Sequence, residues 1–373
     1  MSRTQQSSQQ SATRDLRSAD LAPRLLPWFD RARRELPWRR TRDPYRIWVS
    51  EVMLQQTQVD RVIAFYERFV SALPTVSALA RAPLERVLHL SSGLGYYSRA
   101  RNLRRAAQVI VAQHGGRFPD SFAVAQALPG IGDYTAGAIL SIAYGRQLPA
   151  LDANATRVLR RVFRVHPTKR ESAQARLRRL GQAAVPADRP GDYNQALMEL
   201  GALVCMPRNP GCDTCCLGDV CKARRYGERA LASSSKRQQA KAGRAVVGVV
   251  WRGHRVLIAA RPPEGVWAGL WVFPGRELNS GEAGIAPLKR ALCDDFGLDV
   301  EVGEELARFS YGIMSRRIGL TVHVCRVGRG RTSPRQHVRA RWAKPAELGE
   351  FAFPLPHRRV AELVRNPTPS GRR

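Results

Sequence analysis

Leu128-Pro129-Gly130-Ile131-Gly132-Asp133-Tyr134-Thr135-Ala136 sets two glycines around one apolar residue and then runs into an amphipathic helical stretch. Glycines at such positions let the backbone turn tightly and approach an anion, which the N–H groups of the following helix then face. Twenty residues beyond Gly132 comes Asp152, in Leu151-Asp152-Ala153-Asn154, just ahead of the next helical segment, 155–163. An acid there serves at least as an N-cap. Further on, five of the seven cysteines fall within residues 205–221, four of them as Cys205-x6-Cys212-x2-Cys215-x5-Cys221. Thiols this close point to metal or cluster ligation before disulfides, and four thiolates suit zinc or an iron–sulfur cluster equally. Cys216 stands outside the pattern, and Cys293 and Cys325 sit in apolar contexts that predict core positions.

Around these motifs the chain reads as helical from 21 to about 230. Amphipathic stretches cover Val49–Ser71, Pro83–Leu90, Arg99–Gln113, Thr135–Tyr144, Asn154–Phe163 and Asn194–Val204. Residues 1–20 read as a disordered polar tail without the apolar segment of a signal peptide. Residues 231–244, rich in Ser, Gln and Lys, read as a linker. The period then changes. Residues 245–251 and 255–261 form a predicted hairpin around Gly253, 270–275 and 319–327 further strands, and Ala283–Phe296 a helix. This gives an α+β domain over 245–365, with 366–373 as a tail.

Length and composition fit this division, since 373 residues allow two or three domains and a hydrophobic fraction of 44% excludes wholesale disorder. No uninterrupted apolar run approaches the ~18 residues of a membrane helix. The formal charge is +30, and 55 of the 61 basic residues are Arg. Such a surplus favours a polyanion partner. It is spread as +17 over 1–230, +4 over 231–244 and +9 over 245–373, so charge alone marks no binding face. The expected compartment is the bacterial cytoplasm, associated with the nucleoid.

The most telling stretch is Pro37-Trp38-Arg39-Arg40 followed by Asp43-Pro44-Tyr45-Arg46-Ile47-Trp48-Val49-Ser50-Glu51-Val52-Met53-Leu54-Gln55-Gln56-Thr57-Gln58-Val59. Glu51 lies among apolar neighbours, a setting that raises a carboxyl pKa and keeps the group protonated, as a general acid near neutral pH requires. The whole stretch closely resembles the MutY family of adenine DNA glycosylases. The cysteine spacing is similar to the four-iron four-sulfur loop of endonuclease III-like glycosylases, and Leu128–Ala136 to their helix-hairpin-helix. The resemblance covers residues 25–226 densely and the C-terminal domain more loosely.

It implies a multidomain fold: an all-α helix-hairpin-helix glycosylase core with an iron–sulfur cluster loop, plus a C-terminal α+β MutT-like (Nudix-fold) domain that reads the oxidised base. Carried over residue by residue, Glu51 is the acid that protonates adenine and Asp152 the carboxylate that stabilises the oxocarbenium-like sugar. Tyr134 and Asn154 support that carboxylate, while Trp38 and Glu199 line the base pocket. Gln56 and Tyr96, with Leu54, Thr57 and Arg39 nearby, enter the duplex beside the estranged purine, and Gly130 and Gly132 meet its backbone. Cys205, Cys212, Cys215 and Cys221 hold a [4Fe-4S] cluster. Members that also cut the backbone carry Lys where this chain has Tyr134, and a phenol forms no Schiff base. The implied enzyme is therefore monofunctional, without AP lyase activity. Its implied partner is double-stranded DNA containing adenine opposite 8-oxoguanine or guanine, bound by a monomer with no membrane involved.

The logic holds physically. A base must leave the stack before its glycosidic bond is reached, at a cost of a few kcal/mol. Neutral adenine leaves poorly without protonation, and a fixed anion stabilises the sugar cation as in glycoside hydrolysis. Two departures are visible. Ala291 replaces the Glu of a Nudix metal box in Lys289–Gly297, which argues against pyrophosphohydrolase activity. The family's Phe-Ser-His would fall near Ile313-Met314-Ser315, so either Ser315 or Ser310 substitutes from a shifted loop, or discrimination between 8-oxoguanine and guanine is weaker. The competing readings are a thymine- or uracil-mismatch glycosylase of the same fold and a non-catalytic iron–sulfur redox sensor on DNA.

Overall fold

A computed structural model describes residues 20–95, 97–166, 171–228, 241–279, 281–282, 285–335 and 339–366. They form two compact units. One draws on residues 20–51 and 118–228, the other on 52–117 and 241–366. This differs from the domain division expected from sequence, because the contiguous helical region is shared between both units.

The first unit is helical. It contains α1 (Ala22–Ala32), most of α2 (Pro44–Leu54), and the helices α7 (Phe122–Gln126), α8 (Asp133–Tyr144), α9 (Ala153–Phe163), α10 (Ala173–Ala184), α11 (Pro190–Leu203) and α12 (Lys222–Arg225). In α9 the apolar residues Ala155, Val158, Leu159 and Val162 recur at the spacing of one helix face, and all are buried. They pack with Leu25 and Phe29 of α1 and with Tyr193, Leu197 and Leu200 of α11. Helices α8 and α11 approach closely because α11 carries Gly191, where a Cβ would lie 2.7 Å from the Ser141 carbonyl.

The second unit joins α3 (Val59–Ala72), α4 (Val76–Arg81), α5 (Leu84–Leu90) and α6 (Tyr97–His114) to a seven-stranded sheet. Its strands are β1 (Lys241–Arg252), β2 (Arg255–Ala260), β3 (Trp271–Val272), β4 (Gly275–Leu278), β5 (Asp299–Ile313), β6 (Arg316–Arg329) and β7 (Arg339–Ala343). The main order is β3-β2-β1-β6-β5, with β1 and β6 parallel, β4 beside β1 and β7 beside β2. Val247 and Val249 of β1 face a core shared with α14 (Leu355–Arg365), whereas Val246 and Val250 face one shared with α13 (Ala286–Phe296). Burial on both faces is why β1 reads as a continuous apolar run. Within this unit Ser92 Oγ and Tyr97 OH both donate to the Phe353 carbonyl, at 2.9 and 3.0 Å.

Several sequence expectations change. The predicted helix Val49–Ser71 is interrupted: α2 ends at Leu54 and α3 starts at Val59, with Gln56 between them at φ 57°. Strand β1 begins at Lys241, so residues 241–244 are strand and not linker, because they pair in parallel with Arg316–Gly319. The fifteen-residue β5 was not foreseen, since its apolar alternation is diluted by Glu301, Glu304 and Glu305. Cys325 is buried as expected, but Cys293 is exposed, because Leu288, Leu292 and Phe296 turn the other face of α13 inward. The rest of the expected linker and most of both tails lie outside the described residues.

Candidate active site

Leu128–Gly132 connects α7 to α8 as a tight turn. Gly130 adopts φ +80°, a left-handed conformation that favours glycine, and buried Ile131 anchors the turn in the core. Gly132 caps α8, so the open N–H groups of the first turn of α8 adjoin the glycine turn, and Tyr134 is the second residue of α8.

Tyr134 meets Glu51, which the last turn of α2 presents. The phenol donates to Glu51 Oε2 at 2.5 Å and also contacts the Met198 sulfur at 3.7 Å. Only 5% of Glu51 is exposed. Burial pushes its carboxyl up to about 7, helped by the charge of Asp152 and opposed by the Tyr134 hydrogen bond and by Arg39. Burial and the neighbouring carboxylates likewise push the Tyr134 phenol well above its ordinary value. The buried acid is thus paired with a phenol that stays protonated.

Asp152 is the N-cap of α9. Its Oδ1 accepts from the Ala155 N–H at 2.6 Å and its Oδ2 from Asn154 Nδ2 at 3.1 Å. Burial raises its pKa, and those hydrogen bonds and Arg157 resist the rise. The other carboxamide atom of Asn154 accepts from Arg157 Nη2 at 2.7 Å, and Arg157 Nε donates to the Cys205 carbonyl at 2.8 Å. A continuous run of hydrogen bonds therefore links Asp152 to the first cysteine. Sequence reasoning missed Arg157 and, one turn on, Arg161, although their i, i+4 spacing on α9 is a readable signal.

Arg39 and Glu199 come together, in an arrangement that differs from an open pocket, and Trp38, next to Arg39 in sequence, is buried. Glu199 is buried, and both its oxygens are taken. Arg34 donates through Nε (2.9 Å), Nη2 (2.8 Å) and its backbone N–H (2.9 Å), and Arg39 through Nη1 (3.2 Å) and Nη2 (2.9 Å). Burial alone would raise the Glu199 pKa, but these bonds bring it down to about 2. Arg39, expected on the DNA side, turns inward onto Glu199, the Arg34 carbonyl and the Phe29 ring.

Cys205, Cys212, Cys215 and Cys221 line one cavity with Val158, Leu200 and Leu217, and Cys216 does not reach it. Arg161 donates to Cys205 Sγ at 3.2 Å and to the carbonyls of Cys205, Met206 and Pro207. Among the described residues no three His, Cys, Asp or Glu groups converge to hold a single metal ion. Four thiols around one cavity, with the Arg161 guanidinium on Cys205, are a donor set that could hold a metal or a cluster.

The remaining expected residues lie in the second unit. Leu54 ends α2, Gln56 and Thr57 follow it, and Gln56 is exposed. Ser310 lies near the end of β5, where its Oγ accepts from Arg317, and Ser315 is in the two-residue turn to β6 beside Met314. Both serines are exposed. Tyr96 lies outside the described residues.

Comparison with known proteins bears on the family and the fold. The family model described as HhH-GPD superfamily base excision DNA repair protein matches residues 49–182, and that of the NUDIX domain matches 246–363. The adenine DNA glycosylase of Homo sapiens is 46% identical over 224 residues, covering 57% of this chain and 41% of that protein. That of Mus musculus is 38% identical over 313 residues, covering 69% and 61%. That of Buchnera aphidicola subsp. Baizongia pistaciae is 40% identical over 200 residues, covering 53% and 57%. The chain spans about half the length of the curated relatives it matches. Among solved structures, a thermostable thymine-DNA glycosylase superposes with a TM-score of 0.52 at 29% identity, over 56% of this chain and 97% of that one. No helix among the described residues is long and apolar enough to cross a membrane.

Proposed function

We propose that this chain, which belongs to the HhH-GPD superfamily of base excision DNA repair proteins and carries a NUDIX domain after it, is a monofunctional adenine DNA glycosylase acting on adenine opposite 8-oxoguanine or guanine in double-stranded DNA. The observation that carries this reading is the buried Glu51 held by Tyr134, in one unit with the N-cap carboxylate Asp152.

With its pKa pushed to about 7, Glu51 retains a proton near neutral pH. Tyr134 donates to Oε2, so the transferable proton sits on Oε1 and passes to a ring nitrogen of the flipped adenine. The glycosidic electron pair leaves with the protonated base. Asp152, oriented by Ala155 and Asn154, then faces the sugar cation and stabilises it until water adds. Tyr134 stands where a lyase would need an amine, so the abasic product keeps an intact backbone.

The four cysteines are read as ligands of a [4Fe-4S] cluster, whose iron–thiolate bonds would staple the loop after α11. About four iron atoms per chain and absorbance near ~400 nm would support this, and a colourless zinc protein would overturn it. In the NUDIX domain Ala291 leaves the metal box incomplete, so lesion reading, not pyrophosphate hydrolysis, is its proposed role. Its contact candidates are Ser310 and Ser315.

One observation favours a second reading: the thymine-DNA glycosylase structure matches the helical part of the chain. The added NUDIX domain and the adenine-specific relatives weigh against it. The test is a glycosylase panel with adenine opposite 8-oxoguanine, G and C, and thymine opposite G. Adenine release lost in both Glu51→Gln and Asp152→Asn supports the proposal. Thymine release without adenine release overturns it.

A further inference from the structure

Arg99 lies in the first turn of α6, half-buried, and its guanidinium is surrounded by acceptors from two other segments. Its Nη1 donates to the carbonyls of Val52 and Met53, both at 3.0 Å, and to that of Gln55. Its Nη2 donates to Thr57 Oγ1 at 3.2 Å and to the Gly95 carbonyl at 3.3 Å. Val52 and Met53 are in the last turn of α2, where carbonyls have no partner inside the helix, and a planar cation there satisfies them and favours the helix end.

Between two of those contacts stands Gln56. It is exposed and held at φ 57°, a left-handed conformation uncommon for a non-glycine residue. Arg99 brackets it through bonds to the Gln55 carbonyl and the Thr57 hydroxyl, and the Thr57 N–H closes the turn onto the Leu54 carbonyl at 3.2 Å. The same guanidinium fastens Gly95, the residue before Tyr96. Lysine has no equivalent, because its ammonium lacks the planar fork that reaches two segments at once.

We propose that Arg99 is a positioning residue that locks the strained Gln56 turn and the Gly95 segment into one fixed arrangement before DNA arrives. Ordering these two segments is then not left to the base-flipping step. The inference deepens the adenine glycosylase reading and rests on it where Gln56 and Tyr96 are taken to enter the duplex.

The test uses the full chain with Arg99→Lys and Arg99→Gln, and Arg105→Lys, an exposed arginine of the same helix, as control. In the free protein, hydrogen–deuterium exchange over residues 54–58 should rise by about fivefold or more in both Arg99 variants, with α8–α11 and the control unchanged. On duplex DNA with 2-aminopurine beside the target adenine, the flipping signal and the single-turnover rate should fall about tenfold or more, with the dissociation constant within about threefold. Unchanged exchange over 54–58 in both variants overturns the proposal. So does a lysine variant that flips and cleaves like the parent protein, or exchange that rises evenly across the whole chain. If the parent protein releases no adenine, the enzymatic reading fails, and the exchange measurement still decides what Arg99 holds.

Discussion

Tyr134 donates its phenolic hydrogen to Glu51 Oε2 across 2.5 Å, joining the first turn of α8 to the last turn of α2. The bond ties the helix that follows the glycine turn to the acid of the proposed reaction. It also lowers a pKa that burial raises, so Tyr134 tunes the acid as well as orienting it.

Removing that bond with Tyr134→Phe should let the Glu51 pKa rise further above about 7. The alkaline limb of the single-turnover pH profile should then move to higher pH. An unshifted or acid-shifted limb would show that Glu51 is not the titrating acid.

Glu51→Gln should abolish adenine release and change how stability depends on pH. The folded-state pKa is raised from 4.5 to about 7, so the neutral carboxyl is the form that folding favours. Its contribution is complete below about 4.5 and is lost as pH rises through about 7, a difference of roughly 3 kcal/mol. The glutamine variant should therefore gain on the parent protein between pH 5 and pH 8 in thermal melts. Parallel melting curves across that range would contradict the burial argument.

Asp152 is the N-cap of α9 and the proposed catalytic carboxylate, and two substitutions separate the roles. Asn caps as well as Asp, so Asp152→Asn should melt near the parent temperature while losing about a hundredfold or more in rate. Asp152→Ala should lose the rate and also about 1 kcal/mol of stability, measured by urea unfolding.

Glu199→Gln should weaken the first unit, because it leaves Arg34 and Arg39 facing a neutral amide. Arg34 is 35% exposed and Arg39 13%, so water absorbs part of the penalty, and a loss of about 2 kcal/mol is expected. The Glu199 pKa is depressed to about 2, so the stabilisation is present above about 4.5 and lost as pH falls toward 2. The gap between parent and variant in urea midpoint should narrow from pH 7 to pH 3. A constant gap would place the effect elsewhere.

Much of the candidate site was legible because its parts are local. The glycine turn, the capping aspartate and the cysteine spacing are each fixed by neighbours in sequence, and each lies on the expected element. The Glu199–Arg34–Arg39 clamp was not legible, since its partners are 165 and 160 residues apart. An arginine near a predicted DNA face carries no mark of which way it turns. The break between α2 and α3 was missed for a related reason. Gln55-Gln56-Thr57 contains no Gly or Pro, and the left-handed turn is bracketed by Arg99 from another helix.

By itself the sequence determined the two structural classes, a carboxyl set among apolar neighbours, a four-thiol spacing that suits metal ligation, and Tyr in place of Lys at 134. Those follow from residue type and short spacing, which survive any tertiary arrangement. The tertiary structure alone decided which unit residues 52–117 join, that Glu51 is buried against Tyr134 with its pKa raised to about 7, and that Glu199 is sealed by two arginines. Desolvation and long-range hydrogen bonds depend on what surrounds a group in space, and no local pattern encodes them.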